Sequence, residues 1–195
     1  MRLKKLLLLL PLAAAACGGK KLAPFDMESR RLGVVMNFQY KASDKAYVDA
    51  PNAFADQLSR ALFDTERLRV IDRQRLRAAL DELKLPSDKP LDSAQIGIVA
   101  KQLKAEVAVY GDVLSVLKDS EEKKDRVTER MELTVDAKLV LSSTAEILSH
   151  GQATGMAVIR YKKNSPPPAE ILLNAALADA AKQVATQLVT GLQPK

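Results

Sequence analysis

From Val127 to Leu141 the chain alternates with a period of two. Val127, Glu129, Met131, Leu133, Val135, Ala137, Leu139 and Leu141 fall on one side, and Thr128, Arg130, Glu132, Thr134, Asp136 and Lys138 on the other. Only an extended backbone puts every second residue on one face, so this stretch predicts a long strand with one wet and one covered side. Such a strand needs antiparallel neighbours and a layer of helices over its apolar side.

The flanking sequence supplies both. Glu106–Leu117 reads as the preceding strand, with the charged run Lys118–Arg126 as the hairpin tip. Ser142–Ala145 turns the chain into a last strand at about Glu146–Tyr161. Pro166, Pro167 and Pro168 then block any continuation. The final helix is expected to bury Leu173, Leu177, Ala181, Val184 and Leu188, and to stop at Gly191 and Pro194. Upstream, Arg31–Tyr40 is apolar and reads as one buried strand, followed by a polar loop over Lys41–Asn52 that includes Pro51. Phe54, Leu58, Ala61 and Leu62 then share one helical face, and Leu68–Ile71 is a short strand. Asp72 can cap a helix with the stripe Leu76, Ala79, Leu80 and Leu83, ended by Pro86. Asp92 with Gln95 suggests a capping box before Ile96, Val99, Ala100 and Leu103.

The order is β-α-β-α-α-β-β-β-α, an α/β fold with one mixed sheet of about five strands and helices packed on it. The first β-α-β should be a parallel crossover and the last three strands an antiparallel meander. The 195 residues suffice for one ordinary domain, here residues 31–195.

Residues 1–16 resemble something else. Arg2, Lys4 and Lys5 precede Leu6–Leu10, Pro11, Leu12 and Ala13–Ala16, a positive segment, a short apolar segment and a small-residue zone. The apolar run is far below the ~20 residues that span a bilayer as a helix. Ala14, Ala15 and Ala16 immediately before Cys17, the only cysteine, resemble the lipobox of bacterial lipoproteins. That resemblance implies cleavage between Ala16 and Cys17, diacylglycerol on the thiol, and a further acyl chain such as palmitate on the new amine. Each buried methylene contributes ~0.8 kcal/mol, so two or three chains would hold the protein on a membrane. Gly18 stands where many lipoproteins kept at the inner membrane carry Asp, which favours the periplasmic face of an outer membrane. Residues 17–30 then read as the lipidated N-terminus and tether.

The formal charge of +6 mostly reports export. Without Arg2, Lys4 and Lys5, 27 basic side chains face 24 acidic ones, which gives no electrostatic case for a nucleic-acid partner. One cysteine and one histidine exclude a disulfide framework and any metal site built on two thiolates or two imidazoles.

Four segments in order resemble the family of the curli assembly lipoprotein CsgG. RLGVVMNF is similar to its first strand, and RLRVIDRQRLRAALDELKL to its strand-to-helix passage. AKQLKAEVAVYGDV is similar to its helix and following strand with a glycine, here Gly111. LTVDAKLVLSSTAEIL is similar to the strand before its Thr-Gly-Glu turn. Residues 31–160 carry the resemblance, and Thr144-Ala145-Glu146 departs from it at the turn. It implies an anchored, non-catalytic assembly or secretion component that binds other envelope proteins, with a homo-oligomer as an option. The pore-forming members carry extra membrane-crossing hairpins, and the three long strands here are already used by the core sheet. A pore subunit is therefore the less favoured reading. A second family, the outer-membrane lipoproteins that activate penicillin-binding proteins, shares this anchored α/β plan and stands as an alternative.

No catalytic constellation is visible, so no enzyme and no cofactor beyond the lipid on Cys17 are expected. Ser115 and Lys118 match S-x-x-K, yet Ser115 ends a strand and neither S-D-N nor K-T-G occurs. His150, between Ser149 and Gly151, has no neighbour in sequence that would make it a base. Arg67, Arg69, Arg73, Arg75 and Arg77 crowd eleven residues. They offer an anionic contact, or a solvated helix edge with Asp72, Asp81 and Glu82 beside them.

Overall fold

The computed structural model describes residues 30–87, 89–190 and 192. The expected signal segment, and the expected tether apart from Arg30, lie outside the described residues. Strands are β1 (Arg31–Val35), β2 (Gln39–Tyr40), β3 (Leu68–Val70), β4 (Val107–Lys123), β5 (Arg126–Leu141) and β6 (Ile147–Lys162). Helices are α1 (Ala50–Asp64), α2 (Arg73–Glu82), α3 (Ser93–Gln102) and α4 (Ala169–Thr190), with a 3-10 turn at Lys45–Tyr47.

They form one mixed sheet in the order β3-β1-β4-β5-β6, and β2 also pairs with β4. β1 lies parallel to β3 and β4, while β4-β5-β6 is an antiparallel meander, as the sequence implies. α1 and α4 cover one face, burying Phe54, Leu58, Leu62, Leu177 and Leu188 against Leu133, Val135 and Leu139. α2 and α3 cover the opposite face only near β1, where Leu76, Leu80, Ile96 and Val99 meet Val34, Met36, Ala108 and Val140. The alternation of β5 is thus real, and its apolar side is sealed by α4.

Local signals set the helix starts. The Asp72 side chain accepts from the Gln74 N–H at 2.7 Å, and Asp92 and Gln95 form the expected reciprocal box at 2.8 and 3.0 Å. Pro51 sits in the first turn of α1, where its missing N–H costs nothing.

Three boundaries differ from the sequence reading. The stretch Arg31–Tyr40 is two strands: Met36 still gives its N–H to the Val109 carbonyl at 2.8 Å, and the pairing then lapses where Asn37 turns inward to bond the Arg73 side chain and the Ser87 carbonyl. The polar loop holds the 3-10 turn and ends earlier, at α1. The hairpin tip shrinks to Lys124 and Asp125, since cross-strand charges extend the ladder: Lys118 pairs with Glu129 at 2.9 Å and Lys163 with Glu122 at 2.6 Å. The Glu129 hydrogen bond accordingly pushes the Lys118 pKa up.

β6 is an edge strand, and α4 closes part of that edge. Gln187 Nε2 donates to the Gln152 carbonyl at 3.1 Å and its Oε1 accepts from the Gln152 N–H at 2.9 Å. One helical turn earlier Gln183 Nε2 donates to the Thr154 carbonyl at 3.4 Å, and one turn before that Asp179 accepts from the Met156 N–H at 3.0 Å. A stripe at i, i+4, i+8 on one helix therefore occupies backbone groups that would otherwise recruit a foreign strand. Close approach makes this possible, since a Cβ on Gly155 would lie 2.2 Å from the Ala176 carbonyl oxygen.

Candidate functional site

The five arginines do not act as one patch. Arg73, the first residue of α2, turns into the protein at the carboxyl ends of β1 and β3. Its Nη1 donates to the Val35 carbonyl at 2.9 Å and its Nη2 to Asn37 Oδ1 at 2.7 Å. Its Nε lies 2.9 Å from Asp56 Oδ1 on α1, an ion pair whose angle falls short of a linear hydrogen bond. Burial pulls the Arg73 pKa below its ordinary value and the Asp56 carboxylate pushes it back. Arg69, on β3, donates from Nε to the Arg30 carbonyl at 3.2 Å. Arg67, Arg75 and Arg77 are exposed and have no ion-pair partner among the described residues. Arg77 lines a cleft of about 590 Å³ between α1 and α2 together with Arg60, Arg73, Asp56, Asp64 and Asp72. Three acidic and three basic side chains share it with Phe63, Val70 and Ile71, so the cleft carries charges of both signs and no net sign.

His150 has a partner that sequence reasoning missed. Its Nε2 lies 2.6 Å from Asp136 Oδ2 across the β5–β6 ladder. The register places Lys138 opposite His150 and Asp112 opposite Asp136, and Lys41 Nζ donates to Asp112 Oδ2 at 2.7 Å. Two carboxylates directly opposite would repel, and Lys41 and His150 each take one. The signal was the period: His150 and Asp136 both sit on the wet faces of adjacent strands, but only the register brings them together. No hydroxyl or thiol bonds the imidazole among the described residues, and these charges read as a surface network of the sheet. Ser115 and Lys118 lie on opposite faces of β4, Ser115 opposite Thr134 and Lys118 reaching Glu129, so they form no dyad. Among the described residues no group of three or more His, Cys, Asp or Glu side chains is placed to hold a metal ion. No described helix is long and apolar enough to cross a membrane. Cys17 and Ala16 lie outside the described residues.

The turn between β5 and β6 keeps a special backbone without a glycine. Ala145 has φ 58°, the left-handed region, and its N–H donates to the Leu141 carbonyl at 2.8 Å.

The family model described as "Curli production assembly/transport component CsgG" matches residues 21–191. No curated protein matches the chain. Among solved structures, the LpoB C-terminal domain from Salmonella enterica is 15% identical, with 64% of this chain and 81% of that one covered and a TM-score of 0.47. Lipoprotein GNA1162 from Neisseria meningitidis is 14% identical, covering 80% of this chain and 99% of that one, at a TM-score of 0.46. A PelC dodecamer from Paraburkholderia phytofirmans is 11% identical, with 85% and 90% covered and a TM-score of 0.41.

Proposed function

Because the chain belongs to the CsgG family, we propose that it is a lipid-anchored, non-catalytic envelope protein that works by binding other envelope proteins during assembly or secretion. The observation that carries this reading is the family match over residues 21–191, nearly the whole chain beyond the signal-like segment. The N-terminal pattern ending in Ala16-Cys17 supports a lipid on Cys17, and Gly18 supports the periplasmic face of an outer membrane. In this reading residues 1–16 are removed, 17–30 tether, and 31–195 bind. The exposed Arg67, Arg75 and Arg77 offer anionic contacts, to a partner's acidic face or to lipid headgroups.

Crosslinking in intact cells, followed by mass spectrometry of what is joined to the chain, tests the proposal. Recovery of envelope proteins, reproducibly and dependent on folded residues 31–195, is the expected result. A partner set confined to the cytoplasm would overturn it. His150→Ala should leave cellular function intact; loss without unfolding would favour an enzyme instead. The alternative, activation of a penicillin-binding protein, predicts that enzyme as the dominant crosslinked partner.

A further inference from the structure

The meander β4-β5-β6 has one face that no helix covers. α2 and α3 reach only as far as Tyr110 and Val140, so from there to the hairpin tip this face is open. A solvated face is ordinary for an antiparallel sheet, but its outward residues should then be polar. Three are not. Leu117 is 61% exposed, Met156 58% and Val158 55%. The register gathers them, because Glu132 lies opposite both Leu117 and Met156, and Arg130 lies opposite Val158 in the adjacent row. Met156 and Val158 therefore flank, on the β6 side, two opposite charges that stand two residues apart on β5, while on the β4 side Leu117 lies opposite Glu132 and Asp119 opposite Arg130.

On β5 and β6 that pattern is complementary to itself. A two-fold axis crossing β5 at Met131, perpendicular to the strands and parallel to the sheet, sets Arg130 against the partner's Glu132 and Glu132 against the partner's Arg130. The same operation sets Val158 against the partner's Met156, and on the β4 side it sets Leu117 beside the partner's Asp119. Sheets packed face to face align within about 30° and interdigitate in this way, and an isologous contact requires this reciprocity of residue pairs. Strand addition at the neighbouring edge is the competing geometry, and it is blocked where Gln187, Gln183 and Asp179 hold the backbone of Gln152–Met156. We propose that the open face of β4-β5-β6 docks a second copy of this chain, with reciprocal Arg130–Glu132 pairs at the centre and Met156 and Val158 packed reciprocally beside them. The contact uses no part of the membrane anchor, so it stands or falls separately from the envelope reading.

Sedimentation equilibrium of the purified full-length protein in mild detergent tests it with charge reversals. The unaltered chain should be dimeric or a higher even species. R130E places two glutamates against two, and E132R two arginines against two, so each alone should weaken association about tenfold or more. Mixing the two variants restores opposite charges at both positions, and the mixture should associate again. That rescue also shows that neither variant failed by unfolding. An unaltered chain that stays monomeric, variants that associate as the parent does, or a mixture that fails to recover would each overturn the proposal. So would a monomeric chain whose open face instead binds a different envelope protein.

Discussion

Arg73 holds Asn37 in the interior: Nη2 donates to Asn37 Oδ1 at 2.7 Å, and Asn37 Nδ2 in turn donates to the Ser87 carbonyl at 2.6 Å. These bonds thus run from α2 through the end of β1 to the loop before α3, and among the described residues Asn37 is the one buried polar side chain, at 7% exposure. A buried amide is tolerated because its donor and acceptor are both used.

Arg73→Ala should therefore be the most damaging of the arginine substitutions. It strips partners from the Val35 carbonyl, Asn37 Oδ1 and the Asp56 carboxylate together. Leaving buried polar groups unpaired costs about 1–3 kcal/mol each, so a loss of about 3 kcal/mol is expected in urea unfolding. Arg73→Lys should recover little, since one ammonium cannot reproduce the planar fork. Arg75→Ala and Arg77→Ala should stay within about 0.5 kcal/mol of the parent. Equal losses across the three would mean that the clamp is not what fixes Asn37.

Two glycines should respond in opposite directions to alanine. At Gly155 the new methyl would meet the Ala176 carbonyl oxygen at 2.2 Å and the Ala180 N at 2.5 Å, both backbone atoms that cannot swing aside. α4 would have to lift from β6, and with it the side chains that close the edge. Gly155→Ala should lower stability by about 1–3 kcal/mol, the range for overpacking. Gly97, inside α3, has nothing within 4 Å of its would-be Cβ. Gly97→Ala should raise stability by up to about 1 kcal/mol through helix propensity. Thermal denaturation of the pair reads both signs.

Elements with strong periodicity were legible in the sequence, and the contacts between them were not. The meander, the four helices and the capping box at Asp92 follow from spacing of two or of three to four, which the backbone imposes locally. The break at Asn37 was not legible, because it depends on Arg73 and Ser87 from distant elements overriding a β-prone run. Nor was the extent of β4 and β5, since a charged run reads as a loop until the register pairs Lys118 with Glu129. The His150–Asp136 contact has the same origin, because alternation gives the face of each residue while the ladder decides its neighbour. Arg73 was visible only as one of five arginines, although its place at the start of α2 after the capping Asp72 could have marked it as pointing back toward β1.

Ala145 occupies a backbone conformation that an L side chain enters at a cost of about 1–2 kcal/mol, at φ 58° in the β5–β6 turn. Ala145→Gly should remove the strain while loosening the unfolded chain slightly, for a net gain of about 0.5–1 kcal/mol. A loss of stability on this change would mean that the Ala145 methyl makes a contact worth more than the strain.

Lipid attachment to Cys17 makes a distinct prediction. Intact mass of the mature protein should begin at Cys17 and carry acyl chains, and the protein should partition with membranes. Cys17→Ser should abolish both the added mass and the cleavage before residue 17. Processing and membrane retention that persist in Cys17→Ser would place the anchor elsewhere.

The last prediction separates a binding domain from a pore. β4, β5 and β6 are 17, 16 and 16 residues long, more than the ~9–11 that cross a membrane as barrel strands, so length alone permits a barrel. Occupancy of the faces argues against it. The apolar face of β5 is held by α4, whose Leu172, Leu177, Val184 and Leu188 are at most 4% exposed. Giving that face to lipid would expose those side chains to water at about 1.5–3 kcal/mol each. The opposite face carries Arg130, Glu132, Asp136 and Lys138, and charges facing lipid at the midplane cost about 2–4 kcal/mol for each Arg or Lys. Neither face is therefore available to a bilayer while α4 stays docked. Protein freed of its lipid should remain in solution without detergent and should conduct no ions across planar bilayers. Reproducible single-channel steps, together with solubility that requires detergent, would show that α4 can leave the sheet and that the strands do cross.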